Sequence, residues 1–214
     1  MQQFFQTGPG GYGEGDRFIG LTVPQVRGVV KLAAGASPKV VSALLRSPVH
    51  EERLTALLIW VRQFAKGDEA RREAIYQSYM EHTRWINNWD LVDTSARDIV
   101  GAWLADKDRR VLYGLAKSAS LWERRIAIVA TFYFIREGEF QDTLAIGELL
   151  LEDEEDLMHK ATGWMLREVG KRDQAVMEGF LVKYQRRMPR TMLRYAIEKI
   201  PEGRRQAYLQ GKAR

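Results

Sequence analysis

The chain has no cysteine, which excludes disulfides and thiolate chemistry of any kind. Histidine is nearly as scarce: His50, His82 and His159 stand far apart, in none of the HExxH or His-x-His spacings that gather imidazoles around one ion. No metal site is expected, and the three are read as surface or helix-end residues. No segment approaches the roughly 20 uninterrupted apolar residues that span a bilayer. The opening MQQFFQTGPGGYGEGD lacks the basic start and apolar stretch of a secretion signal, so a soluble, cytoplasmic protein is expected. The glycines of that opening lack the GK[ST] of a phosphate-cradling loop and read as an ordinary loop. Convincing period-2 alternation is missing as well, which leaves no strand to compete with helix. Charge of one sign is only modestly in excess, with 33 Lys and Arg against 28 acids and a net charge of +5. That balance suggests an anionic partner without identifying one.

Helical signals run almost without a break after residue 36. Ser37 and Pro38 supply an N-cap and a first-turn proline, and the segment stops before Ser47 and Pro48. Over 51–66 the apolar residues Leu54, Leu57, Leu58, Val61 and Phe64 recur at helical spacing, and Gly67 marks the end. Further helices are predicted over 69–82, 108–117, 121–137, 140–151, 156–171, 173–187 and 190–199. Short links between many helices predict pairs stacked side by side. Aligning HEERLTALLIWV, LWERRIAIVATF, LMHKATGWMLRE and TMLRYAIEKI puts Arg53, Arg125, Lys160 and Arg194 in corresponding places, 72, 35 and 34 residues apart. The first gap is about double the others, so a further unit belongs near residue 89. Such a period fits an all-α, HEAT-type helical solenoid, in which the four cations form either one row on a concave surface or a set of ordinary solvated helix starts.

Where the period calls for a cation the chain has WINNWDLVDTSARDIV, residues 85–100. Trp89 and Asp93 stand four apart and share a helix face. A carboxylate amid phosphate contacts would repel DNA, so a plain binder has reason to avoid it. A site that stabilises positive charge has reason to keep it. Breaking an N-glycosidic bond builds oxocarbenium character on the sugar, which a fixed carboxylate stabilises, and an indole adds about 0.5–2 kcal/mol of attraction for a cation. Two plainer readings compete. Trp89 lies on the apolar series Trp85, Trp89, Val92, Ala96, Ile99 and Trp103, which reads as a buried stripe, and Asp93 precedes Arg97 by four residues, the spacing of a helical ion pair. The acids of EDEED, 152–156, read as a solvated loop entering a helix N-terminus rather than as a metal site, and Met158 and Met165 as core filling.

INNWDLVD, LWERRIAIVATFYFI, HKATGWMLREVGKRD and RTMLRYAIEKI, preceded by FIGLTVPQVRGVVK at 18–31, together resemble the AlkD-like DNA alkylation repair family of HEAT-like-repeat DNA glycosylases. The resemblance covers nearly everything from residue 18 onward. It implies a short N-terminal segment with a glycine-rich loop over 1–17 and, over 18–214, a single C-shaped helical-repeat domain whose basic concave face cradles duplex DNA. It also implies excision of positively charged N3- or N7-alkylpurines by a monomer without cofactor or metal, the lesion being contacted mainly through its backbone. Residue by residue, Trp89 and Asp93 match the aromatic and carboxylate beside the deoxyribose, and Trp164 the second flanking aromatic. Arg125 and Arg167 match backbone contacts near the lesion, and Lys160 and Arg27 further basic positions. Longer members begin with extra helices near the lesion, which leaves the N-terminal end of this chain open and substrate range unsettled. A non-catalytic DNA-damage or DNA-structure binder and a protein-binding scaffold are the competing readings.

Overall fold

In a computed structural model that describes residues 5–212, the described residues form helices and turns, and the backbone of Arg17 pairs with Val49 in one isolated bridge. Contacts divide the chain into two compact units, one ending at Trp103 and the other beginning at Leu104. In the first unit the helices are α1 (Val23–Leu32), α2 (Pro38–Leu45), α3 (His50–Lys66), α4 (Glu69–Glu81) and α5 (Trp89–Asp93). A 3-10 turn at Thr83–Trp85 precedes α5, and a π-helical turn at Arg97–Gly101 follows it. The second unit holds α6 (Arg110–Leu115), α7 (Leu121–Ala130), α8 (Phe132–Arg136), α9 (Gln141–Leu149), α10 (Asp156–Gly170), α11 (Gln174–Tyr184), α12 (Arg190–Ala196) and α13 (Glu202–Leu209). None of the described helices is long and apolar enough to cross a membrane.

The first unit is built around α3, which packs on α1, α2, α4, α5 and the π turn. Its residues Leu54, Ala56, Leu57, Ile59, Trp60 and Phe64 are buried on several sides at once, because a central helix has no face left for water. Leu58 and Val61 of the expected stripe are only half-buried. The α2 start is as the sequence predicts, with the Ser37 hydroxyl accepting from Val40 N. Gly67 ends α3 at φ −77°, so it stops the helix without the left-handed turn that glycine favours. Asp68 then caps α4 by accepting from Arg71 N at 2.9 Å.

The second unit centres on α10, which meets α7, α8, α9, α11 and α12. Met158 and Met165 are fully buried there, in the core role read from the sequence. The contact with α12 depends on Gly163, where an added Cβ would lie 2.4 Å from the Met192 carbonyl oxygen and 2.5 Å from the Tyr195 Cβ. A backbone carbonyl cannot swing aside as a side-chain tip can. Gly163→Ala is therefore expected to lower the unfolding free energy by about 1–3 kcal/mol through overpacking, read as a fall in the urea midpoint at unchanged slope. The single helix expected over 121–137 breaks in two at Thr131, a fully buried residue whose hydroxyl donates to the Ile128 carbonyl at 2.7 Å. That local bond competes with helix continuation.

Candidate functional site

Helix α5 is only one turn and a half long, too short to hold itself together in water, so its neighbours must fix it. At its start the Asn88 side chain accepts from Trp89 N at 2.8 Å. At its end the Ser95 hydroxyl reaches the Leu91 carbonyl at 2.6 Å and the Tyr79 hydroxyl at 3.0 Å. Burial raises the Tyr79 phenol far above its ordinary range, and the nearby Asp93 charge raises it further, against the lowering bond to Ser95. Leu91 and Val92 anchor the helix in the core with no exposure, while Trp89, Asp90 and Asp93 remain half-buried. The expected stripe is thus only partly realised. Val92, Ala96 and Ile99 are fully buried and Trp103 nearly so, but Trp85 and Trp89 reach the surface. The 3-10, α and π pieces differ in pitch, so one 3.6-residue period does not hold across them. Trp85 is instead covered by the Arg84 guanidinium, 4.8 Å from its ring centre.

Beneath α5 lies an ionic cluster. His50, the first residue of α3, contacts Asp16 through Nδ1 at 3.1 Å and Asp90 through Nε2 at 2.8 Å. Arg53 Nη2 donates to the other Asp16 oxygen at 2.5 Å, and Asn88 Nδ2 donates to Asp16 at 3.3 Å. Burial alone would keep the imidazole neutral, but the bonds to Asp16 and Asp90 and their charges outweigh it and raise its pKa to about 9. His50 is thus an imidazolium donating from both nitrogens. Asp16 is pulled below its ordinary value, because the bonds to His50, Arg53 and Asn88 and the Arg53 charge overcome the cost of its burial. Of the two readings of the histidines, surface or helix-end, the second holds for His50 but is incomplete. His50 does start a helix, yet it is 2 % exposed and central to a charge network.

The same cluster fastens the opening segment. Arg17 N donates to the Pro48 carbonyl and His50 N to the Arg17 carbonyl. The Glu51 carboxylate accepts from Ile19 N at 3.1 Å and Gly20 N at 2.9 Å. Gly20 makes this possible at φ 84°, a backbone conformation that favours glycine. Above the ions sit stacked rings: Phe18 on His50 with centroids 4.7 Å apart, Phe5 on Phe18 at 5.0 Å, and Phe5 on Trp89 at 5.5 Å with 24° between planes. Of the N-terminal stretch, Phe5 thus lies directly against Trp89, with Phe18 behind it on Phe5 and His50. Nothing local announces this cluster in the sequence, since its three segments, at Asp16, at His50 and Arg53, and at Asn88 and Asp90, lie 34 to 74 positions apart.

The basic positions divide in two. Arg53 and Arg125 are 3 % and 5 % exposed, so a solvent-facing row including both is not what the chain forms. Arg125 Nη1 donates to the Leu157 carbonyl at 2.6 Å and ties α7 to the start of α10. The repeat itself is real but its register is shifted. Arg53 donates to the Ser47 carbonyl, Arg124 to the Ser118 carbonyl, and the His159 ring bonds the Asp153 carbonyl, each six residues back. In each case the side chain of that earlier residue also accepts from the backbone N–H two residues on. The true correspondents of Arg53 are thus Arg124 and His159, one position before Arg125 and Lys160. The EDEED acids are exposed apart from Asp153, which bonds Arg124 Nε at 2.6 Å. Among the described residues no group of three or more His, Asp or Glu side chains is arranged to hold a metal.

The remaining side chains are more accessible. Lys160 pairs with Asp156 at 2.7 Å and has a 40 % exposed side chain. Arg167 is half-buried and bonds Glu198. Trp164, on α10 beside Gly163, is half-buried and meets Phe132 edge-on, with centroids 5.7 Å apart. Arg27 is exposed on α1.

Residues 1–200 match the model of the DNA alkylation repair enzyme family. No curated protein matches. Among solved structures, a protein of Enterococcus faecalis described as a predicted DNA alkylation repair enzyme superposes with a TM-score of 0.69 at 15% identity, over 89% of this chain and 92% of that one. That likeness establishes the shared helical fold, and the family match over most of the sequence goes further: the chain belongs to the DNA alkylation repair enzyme family.

Proposed function

We propose that the chain is a monofunctional DNA glycosylase that excises positively charged N3- or N7-alkylpurines from duplex DNA. The observation that carries this reading is the half-buried pair Trp89 and Asp93 on a single short helix, in a chain of this family. As the bond to a cationic base lengthens, positive charge passes from the purine to the sugar ring. Asp93 stabilises that charge, and Trp89 presents an indole to it. The departing base becomes neutral by leaving, so the reaction needs no general acid, cofactor or Lewis acid. Trp164 on α10 is assigned as the second aromatic flanking the deoxyribose, and Lys160 and Arg167 on α10, with Arg27 on α1, to contacts with the DNA backbone. Arg125 would first have to leave the Leu157 carbonyl, so its role is to position α7 and α10.

The reading is tested on duplex DNA treated with a methylating agent. Cationic 3-methyladenine and 7-methylguanine are expected as free bases while neutral O6-methylguanine stays in the polymer, and borohydride should trap no enzyme–DNA adduct. Release of the neutral lesion, or a trapped adduct, contradicts the proposal. A non-catalytic binder is favoured by one observation, the covering of one Trp89 face by Phe5. It predicts salt-sensitive DNA affinity with no base released.

A further inference from the structure

Resting on that reading of Trp89, we propose that Phe5 is a specificity-determining wall of the site, held in place by the chain Asp16–His50–Asp90. An indole has two faces. Phe5 lies against one of them, and the half-buried ring keeps part of its surface accessible to DNA. The room beside Trp89, and how much of it a lesion can reach, is therefore set by a residue outside the catalytic helix.

Several observations separate this from ordinary core filling. Phe5 is 6 % exposed, yet what lies beneath its stack is charged: it tilts over the His50 ring at 4.9 Å, while Phe18 stacks on that ring at 21°. Aromatic faces on an imidazolium gain electrostatic attraction as well as burial. The ion chain that holds His50 also holds α5 at Asp90 and the opening segment at Asp16, so Phe5 and Trp89 are referred to one anchor. The backbone around Phe5 is closed on itself, with Thr7 N donating to the Phe5 carbonyl at 3.0 Å and Gly13 N to the Gln6 carbonyl at 2.9 Å. Gly11 permits that turn, since an added Cβ would lie 2.2 Å from the Gln6 carbonyl oxygen. The ring is thus placed by main-chain bonds and ion pairs together.

The test compares kcat/KM for two cationic lesions, 7-methylguanine and the bulkier 7-benzylguanine, in wild-type protein, Phe5→Ala and Phe5→Leu. Phe5→Ala should raise the ratio of bulky to small by at least about five-fold, since a removed ring leaves space that only the larger group can use. Phe5→Leu should fall between the two. General loss of folding lowers both substrates alike and leaves the ratio where it was, so an unchanged ratio in both variants overturns the proposal. A second reading needs no turnover. Acrylamide quenching of Trp89, isolated as the difference between each protein and its Trp89→Phe counterpart, should rise about two-fold in Phe5→Ala as the second indole face opens. Unchanged quenching also overturns it. If the wild-type protein releases neither base, the glycosylase reading fails. The Phe5 proposal is then judged on the quenching and on the ratio of affinities for the two lesion duplexes, which must shift in the same direction.

Discussion

Asp93→Asn is expected to slow single-turnover release of 7-methylguanine from duplex DNA by about 10²–10³-fold, the loss seen when a preorganised electrostatic group is removed from a transition state. Asparagine has nearly the same shape, so α5 and the Leu91 and Val92 anchors should be undisturbed. DNA affinity should hold or increase slightly, because a negative charge has been removed from beside a polyanion. The opposite movement of rate and affinity is what separates a catalytic carboxylate from a structural one. Loss of both together would indicate that Asp93 supports the fold.

The largest stability effect is expected from the Asp16–His50–Asp90 cluster. His50→Leu leaves the half-buried Asp16 and Asp90 without their shared cation, and Asp16→Ala leaves His50 and Arg53 short of a carboxylate. Breaking one partner from a buried ionic group costs about 3–5 kcal/mol, measurable by urea denaturation at pH 6. The network also predicts a pH dependence. The His50 pKa is raised from 6.5 to about 9 on folding, so its contribution is fully present below pH 6.5 and is lost as pH rises through about 9. The whole loss is on the order of 3 kcal/mol. Asp16 works the other way: its pKa is lowered from 3.8, so its contribution is present above that value and disappears as pH falls through the lower folded one. Between pH 6.5 and 9.5 the wild-type protein should therefore weaken, while His50→Gln, starting lower, should change much less. Equal slopes for the two proteins would show that the imidazolium is not the source.

Local features of the fold were legible in the sequence wherever the physics is local. Ser37 with Pro38, the apolar spacing of α3 and the stop at Gly67 are effects of neighbouring residues, and they placed α2 and α3 to within a residue. Helix α1 escaped because its buried residues are few, Val26 and Val30 alone. Helix α13 escaped for a similar reason, with only Tyr208 buried. The break at Thr131 needs a hydroxyl turned onto its own backbone, which residue type alone does not reveal. Repeat spacing was visible, but choosing between the adjacent Arg124 and Arg125 requires knowing which side chain reaches back to Ser118. Trp89 and Asp93 could be picked out as a pair because both sit in one turn. The cluster of Asp16, His50, Arg53 and Asp90 could not, since three separate segments meet only when folded, and Phe5 acquires a role only through that meeting.

The most direct measurement of the central claim uses a duplex carrying a single 7-methylguanine, with protein in excess and the free base quantified against time. A cationic purine also departs spontaneously, so the comparison is with the same duplex alone. Stabilisation of the sugar cation by Asp93 predicts release well above the spontaneous rate by the wild-type chain and a return close to that rate in Asp93→Asn, with both proteins bound to the duplex. Release at the spontaneous rate by fully bound wild-type protein would contradict it.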